Sequence, residues 1–458
     1  MKNLVCSIRV EETGIFGKGG AMEVRGYKEN RLVIMLVALA GMSVYLLPYF
    51  RYYYYDAYVS YFHINDLQMG TLGSVYGVLA IVGYCIGGWV ADRISMKLAI
   101  SGSLIVTGIG AFILLLRPAF PIHVAIYALW GVTSIMTFCN PCMKALRALS
   151  RAEEQGRGYA LFDMTRGILN FLSGLVILAA YTAVCKKIGE SGGMTGLIVF
   201  YGVEAIAVGV IVYFTLRKRL PKSLDEVPKE KDSSFAKNVI RSLKMPTTWL
   251  IIVIMFMTYG VIITYNYVVP YCTAAFGMSA ALAAIMGYAA NGFRFVGCWI
   301  GGQIADRKGL STMMLIDIIL MIVGVAGILF TPHSMKFMWM LVASIAILCM
   351  FMYSAQALHY AILEEGDYPV EMMGAVTFII SPLGYSAESI MPLYNGWCLN
   401  HFSGLTGYEM IFKTFIAMLC IAVVAVILFR RLTKERRMEL QKIREGKNLA
   451  SEADSQMA

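Results

Sequence analysis

Charge is what this sequence has least of. Only 15% of its 458 residues are Asp, Glu, Lys or Arg, and 58% are hydrophobic. An ordinary soluble domain carries about 25% charged residues. So few charges cannot cover a water-facing surface, which excludes a large soluble fold and points most of the Leu, Ile, Val, Met, Phe and Tyr at lipid. A disulfide framework is also missing. Of ten cysteines, Cys85, Cys298, Cys349 and Cys420 sit inside apolar runs, where a thiol acts as a small hydrophobe. The Cys139-Cys142 pair in FCNPCMK has no further Cys or His beside it, so no metal site is expected. The five histidines show no HExxH or paired-ligand spacing, and no phosphate-cradling glycine loop appears. These absences predict no cofactor, no enzymatic constellation and no ATP-driven transport by this chain alone. Residues 1–31 hold scattered charges and glycines without a continuous apolar core, so no secretory signal is expected, and Met22 is an alternative start to Met1.

What is present is a series of long apolar runs. A helix crosses a bilayer in about 20 residues. Twelve segments qualify, near 32–58, 67–91, 98–117, 122–146, 159–184, 196–216, 247–273, 280–304, 311–331, 336–361, 372–396 and 409–430. The expected fold class is therefore an all-α membrane protein. Its domains read as an N-terminal segment 1–31, a six-helix half 32–216, a linker 217–246, a second six-helix half 247–430 and a tail 431–458. The net charge of +10 is spread over ends and loops, which argues for topology and against nucleic-acid binding. Lys28, Arg31, Arg93, Lys97, Lys144, Arg147, Arg151, Arg157, Arg217, Lys218, Arg219, Lys222, Arg307 and Lys308 fall on one side, with the tail from Arg430 to Lys447. By the positive-inside rule that side is cytoplasmic, giving a multi-pass protein of the plasma (inner) membrane with both termini inside. Charge, proline and serine make the linker solvated, with room for one amphipathic turn on the membrane surface.

The halves repeat one another. The second span ends VGYCIGGWVADRISMK and the eighth ends VGCWIGGQIADRKGLS, which aligns Asp92 with Asp306 at an offset of 306 − 92 = 214. Asn65 and Ser279, both good helix N-caps, obey the same offset. Shared starts, glycine spacing and charged stops indicate descent from one unit. Over nearly the whole chain this pattern resembles the major facilitator superfamily, whose signature follows helix 2 and recurs after helix 8. Here it reads Gly88-Trp-Val-Ala-Asp92-Arg93-Ile-Ser95-Met96-Lys97 and Gly302-Gln-Ile-Ala-Asp306-Arg307-Lys-Gly309. The first copy departs from the signature at Ser95 and Met96, and the second lacks basic residues after Gly309. The resemblance implies twelve helices in two pseudo-symmetric halves that rock about a central site. It also implies a gate built on Gly88, Asp92, Arg93, Gly302, Asp306 and Arg307. Physically, Gly88 and Gly302 permit close helix approach, and Asp92 and Asp306 are placed to cap a neighbouring helix N-terminus.

Ionisable residues inside spans are costly and are functional candidates by default. Arg294 lies twelve residues before Asp306, ~18 Å along a helix and near mid-bilayer. Arg166 is about eight residues inside the fifth span, ~12 Å deep. Asp163 stands three residues before it, on the same face. Arg51 stands beside the Tyr-rich run Tyr52 to Tyr55 and reads either as a site residue or as an interfacial snorkel. The chain also bears a weaker resemblance to the organophosphate–phosphate antiporters, in which an arginine of helix 1 binds the anionic group. The arginine those antiporters use in helix 7 is absent, and Tyr265-Asn266-Tyr267 stands there. Glu388, flanked by Pro382 and Pro392, is placed either to take up a proton or to pair with Arg294 or Arg166. Asn140, Tyr271 and Gln356 are lesser pocket candidates. The expected function is secondary active transport of a small anionic solute by alternating access, as proton symport or antiport. The expected partners are that solute, a coupling proton and the bilayer. A transporter-like sensor that binds without net flux is the alternative reading.

Overall fold

The structure, a computed structural model, describes residues 28–91, 93–150, 155–219 and 235–442. Asp92, Arg151, Lys222, Met22, the tail beyond 442 and most of the N-terminal segment and linker lie outside the described residues. The described chain is helix almost throughout, with no strand. Nine of its helices are long and apolar enough to cross a membrane. Twelve crossings result because one of these helices makes two crossings, one further long helix carries a mid-span arginine, and two shorter helices combine.

The first crossing is α1 (Arg31–Tyr53) continued by α2 (Tyr55–Phe62), and the second is α3 (Asp66–Ala91). The third is α4 (Met96–Leu115). The fourth runs through α5 (Phe120–Gly131), a π-helical stretch Val132–Cys139 and α6 (Asn140–Ala148). Crossings five and six form one helical run, α7 (Gln155–Arg219), interrupted only at Gly189 with φ 79°. The sequence predicts a loop there; instead one glycine in the region that L side chains avoid turns the chain between two helices. After α8 (Phe235–Leu243) come α9 (Pro246–Tyr265) with α10 (Val268–Phe276), then α11 (Ala280–Lys308), α12 (Leu310–Phe330) and α13 (Met338–Ala361). The eleventh crossing is α14 (Met373–Gly384) with α15 (Ala387–His401), and the twelfth is α16 (Thr406–Leu432).

The seventh and eleventh crossings are broken, and proline explains part of this. Pro270 lacks an N–H and its ring opposes the carbonyl four residues back, at Asn266, where α9 stops. Pro392 likewise frees the carbonyl of Glu388 in the first turn of α15. Freed backbone groups at membrane depth are tolerated only inside protein or beside a cavity.

The repeat recurs in the contacts. A Cβ on Gly83 would meet the backbone nitrogen of Met136 at 2.9 Å, and one on Gly87 would run into the Asn140 side chain. In the second half Gly297 abuts the Met350 carbonyl and Gly301 the Ser354 side chain. Each residue of the second set is its counterpart plus 214. The N-caps follow too: Gln68 N–H donates to Asn65 Oδ1 at 2.8 Å and Leu282 N–H to Ser279 Oγ at 3.3 Å.

The halves close on one face and part on the other. On the face away from the termini, Gly70 presses on the Pro392 carbonyl and Gly396 on the Asp66 carbonyl, so α3 and α15 touch backbone to backbone. Leu393 N–H, released by the proline kink, donates to Ser74 Oγ at 3.0 Å, and Thr273 Oγ1 donates to Asp56 Oδ2 at 2.8 Å. Tyr53 stacks on Tyr288 at 4.2 Å. On the terminal face, a separate apolar cluster from Val33 to Leu216 belongs to the first half alone. A Cβ on Gly88 or Gly302 would meet nothing within 4 Å. The expected close approach at these two glycines is therefore not made in this conformation.

Candidate functional site

Between the parted halves lies a cavity in two lobes that share Tyr49 and Arg294. One lobe, of about 230 Å³, is walled by Tyr45, Asp163, Arg166 and Asn170. The other, of about 160 Å³, is walled by Tyr259, Tyr265, Asn266, Tyr353 and Gln356. α1, α7, α9, α11 and α13 supply these walls, so both halves contribute. Residues 41, 163 and 167 line the first lobe within a few turns of where α1 and α7 enter from the terminal face. The cavity opens toward that face, since the opposite end is sealed by the α3–α15 contact.

Two arginines and one carboxylate project here. Arg166 Nη2 pairs with Asp163 Oδ1 at 3.0 Å, the acid being 61% exposed. The spacing of three residues brings both to one helix face. Arg294 is different. Its guanidinium lies 5.1 Å from the centre of the Tyr353 ring, and among the described residues it has no hydrogen bond or ion pair. Two orphan amides stand nearby: Asn170 Oδ1 and Gln356 Oε1 are buried without a partner. Tyr265 and Asn266 line the second lobe, but the Tyr265 hydroxyl is committed to the Met286 carbonyl at 2.6 Å and Asn266 Nδ2 to the Ile263 carbonyl at 2.9 Å. They offer ring surface and an amide oxygen.

Glu388 lies behind this wall, 4% exposed. It accepts a hydrogen bond from Tyr49 and another from Tyr259 at 3.2 Å. It is therefore no ion-pair partner of Arg294 or Arg166 here. The two tyrosines come from opposite halves, and both also face the cavity. Sequence reading missed Tyr49, Tyr259, Asn170 and Tyr353. The offset of 214 was a usable signal for one of them, since it maps Tyr45 onto Tyr259.

Arg51 lines neither lobe. It is 2% exposed, and donates through Nη1 to the Met69 carbonyl at 2.7 Å, through Nη2 to the Tyr52 hydroxyl at 2.7 Å and through Nε to the Pro48 carbonyl at 3.2 Å. The rings of Tyr52 and Tyr127 lie 4.2 and 4.9 Å from it. In this conformation it ties α1 to α3 behind the sealed end, and the lipid-interface reading does not hold. Tyr271 bonds His333 at 3.2 Å, apart from the cavity, and Asn140 packs at Gly87.

Of the two expected carboxylate caps, Asp92 lies outside the described residues. Asp306 and Arg307 are exposed on the terminal face. The carboxylate that caps a helix start there is Glu365, which accepts from Leu310 N–H at 2.7 Å and Ser311 N–H at 3.2 Å. Arg93 forms contacts of its own, and Lys144 Nζ donates to the Ala91 carbonyl at 3.1 Å.

Comparison with known proteins agrees with this architecture. Residues 32–392 match the family model of the Major Facilitator Superfamily. Among curated proteins, the chain is 27% identical to the inner membrane protein YihN of Escherichia coli K12, covering 90% of this chain and 98% of that one. It is 25% identical to the minor myo-inositol transporter IolF of Bacillus subtilis 168 over 36% of each chain. Among solved structures, a point mutant of the nucleoside transporter NupG superimposes with TM-score 0.70 at 12% identity, covering 87% of this chain and 99% of that one. A bacterial homologue of the human lysosomal transporter Spinster, captured inward-facing and unoccupied, gives 0.67 at 16% identity, covering 91% and 99%.

Proposed function

Because this chain belongs to the major facilitator superfamily and is a membrane transporter rather than an enzyme, we propose that its substrate is a small hydroxylated organic anion. The anion is held between the halves by Arg294 and Arg166 and is moved by alternating access. One observation carries this reading: Arg294 reaches the cavity with no anionic or hydrogen-bonding partner among the described residues. A guanidinium at membrane depth is costly without a counter-charge, and a ligand carboxylate or phosphate supplies one in a bidentate geometry. The first lobe holds two arginines against one aspartate, so its balance stays positive. The unpartnered Asn170 and Gln356 oxygens accept hydrogen bonds from hydroxyls, which favours a sugar acid, a hydroxy acid or a polyol phosphate over a bare anion.

Coupling follows the same geometry. Glu388 bonds to one tyrosine from each half, and both tyrosines touch the cavity. Ligand contact with Tyr49 loosens one of these bonds, and protonation of the carboxylate then compensates within the wall. This makes the transporter a proton symporter or a proton-linked antiporter. The basic residues of the terminal face support an inward-open reading with both termini cytoplasmic. Gly88, Asp92, Arg93, Gly302, Asp306 and Arg307 form the gate that meets when the terminal face closes.

The test is ligand-dependent thermal stability of the purified protein, because a ligand bound only by the folded state raises the apparent stability. Gluconate, glycerol 3-phosphate and inorganic phosphate are compared with glucose and uridine, on wild type and Arg294→Gln. Stabilisation by an organic anion is expected in wild type and none in the variant. Equal stabilisation of both proteins, or by neutral solutes alone, contradicts the proposal.

A further inference from the structure

The linker helix α8, Phe235–Leu243, belongs to neither half by sequence, yet it is firmly seated on the second. The Phe235 ring meets Phe378 of α14 edge-on at 5.6 Å. Asn238 Nδ2 donates to the Glu371 carbonyl at 3.3 Å, and Trp249 Nε1 donates to the Leu243 carbonyl at 2.9 Å, closing the helix end. At 3.6 residues per turn, Asn238 and Ser242 share the face toward the protein with Phe235 and Val239, and Ser242 is fully buried. Next around the helix come Ala236, Ile240 and Leu243, then Lys237, Arg241 and Lys244. The apolar face is bare: Ile240 is 57% and Leu243 38% exposed, with Trp249 beside them at 49%. All three basic residues are exposed, and residues 235–249 contain no acid. Membrane-spanning α9 starts at Pro246, so α8 lies at the edge of the bilayer.

We propose that α8 is an anionic-phospholipid site. One face is docked on α14 of the eleventh crossing, the next lies among acyl chains, and the third offers Lys237, Arg241 and Lys244 to phosphate headgroups of the leaflet on the terminal face. This face order is what an in-plane interfacial helix requires, and neighbouring basic residues attract anionic headgroups. The bare apolar face commits the site to lipid over soluble phosphate. Because α14 belongs to the broken eleventh crossing whose other part seals the far face, occupied lipid braces the helix that must move when the halves exchange closure. The site is independent of which solute the central cavity carries.

The experiment equilibrates the full-length protein with equal amounts of phosphatidylglycerol and phosphatidylcholine and counts retained lipids by native mass spectrometry. Wild type is expected to prefer phosphatidylglycerol. Each single neutralisation among Lys237→Gln, Arg241→Gln and Lys244→Gln is expected to reduce that preference by up to about fivefold, the equivalent of about 1 kcal/mol per surface charge, and the three together by up to about 100-fold. Millimolar inorganic phosphate is expected to leave it unchanged. In vesicles with brominated acyl chains, the emission lost in Trp249→Phe is expected to be the quenched fraction. Undiminished preference in every variant, loss of the lipid to inorganic phosphate, or an unquenched Trp249 overturns the proposal. The single variants keep the test decisive if the triple variant fails to fold.

Discussion

Substituting Gly70 by alanine puts the sealed end of the cavity under direct strain. The new methyl would press into the Pro392 carbonyl of α15, and Gly396 meets the Asp66 carbonyl in the reciprocal way. Neither partner is a side-chain tip that can swing aside, so α3 and α15 must part. Overpacking of this kind costs about 1–3 kcal/mol. The cost applies only while this face is shut, so the closed population should fall by about 5–150-fold relative to the other state. The assay is double electron–electron resonance between spin labels at His63 and His401, which are exposed on the sealed face in opposite halves, with the exposed Cys85 and Cys420 replaced by serine. Wild type should give one short separation, and Gly70→Ala should add a longer one. Gly88→Ala, which meets nothing here, should move the population in the opposite sense, because it disfavours closure of the terminal face. An unchanged distribution in Gly70→Ala refutes the reasoning. A collapse of thermal stability refutes it too, since that would make the contact permanent packing rather than a gate.

Other outcomes follow from individual groups. Glu388→Gln keeps an oxygen to accept from Tyr49 or Tyr259, so thermal stability should hold within about 1 kcal/mol while flux stops responding to an imposed pH gradient; retained response would place coupling elsewhere. Glu365→Ala removes two acceptors from the first amides of α12 and should destabilise by about 1–3 kcal/mol in thermal unfolding, with Glu365→Gln milder. Asp163→Asn breaks a largely exposed pair and should change stability by less than about 1 kcal/mol. It also frees Arg166, and isothermal titration should show tighter anion binding by about fivefold.

Much of the fold was legible because lipid leaves little choice: long apolar runs must be helices, and the 214-residue offset tied the halves together before any contact was known. The offset reaches even to Gly83 against Met136 and Gly297 against Met350. The breaks were less legible. Pro270 and Pro392 announce freed carbonyls, yet the α7 turn rests on Gly189 alone, one glycine among 43. For the site, depth along a helix drew attention to Arg294 and Arg166, which line the cavity, and to Glu388, which is buried behind it. Depth says nothing of azimuth, however, and azimuth separates Arg294, which faces the cavity, from Arg51, which is locked to the Met69 carbonyl. Tyr49 and Tyr259 were invisible for a related reason. Among 27 tyrosines, only the fold shows which two converge on Glu388. The glycine signature was read as a contact, whereas Gly88 and Gly302 have open space beside them in the structure.

Passage of an organic anion through the Arg294 cavity, as proposed, requires that the anion exchange across the bilayer. The most direct measurement is counterflow of a radiolabelled anion, chosen by the thermal screen, in proteoliposomes of wild type and Arg294→Gln. Label should accumulate in wild-type vesicles preloaded with unlabelled anion, and not at all with the variant. Binding without flux in wild type would contradict the claim and favour a solute sensor, and equal flux through the variant would remove Arg294 from the pathway.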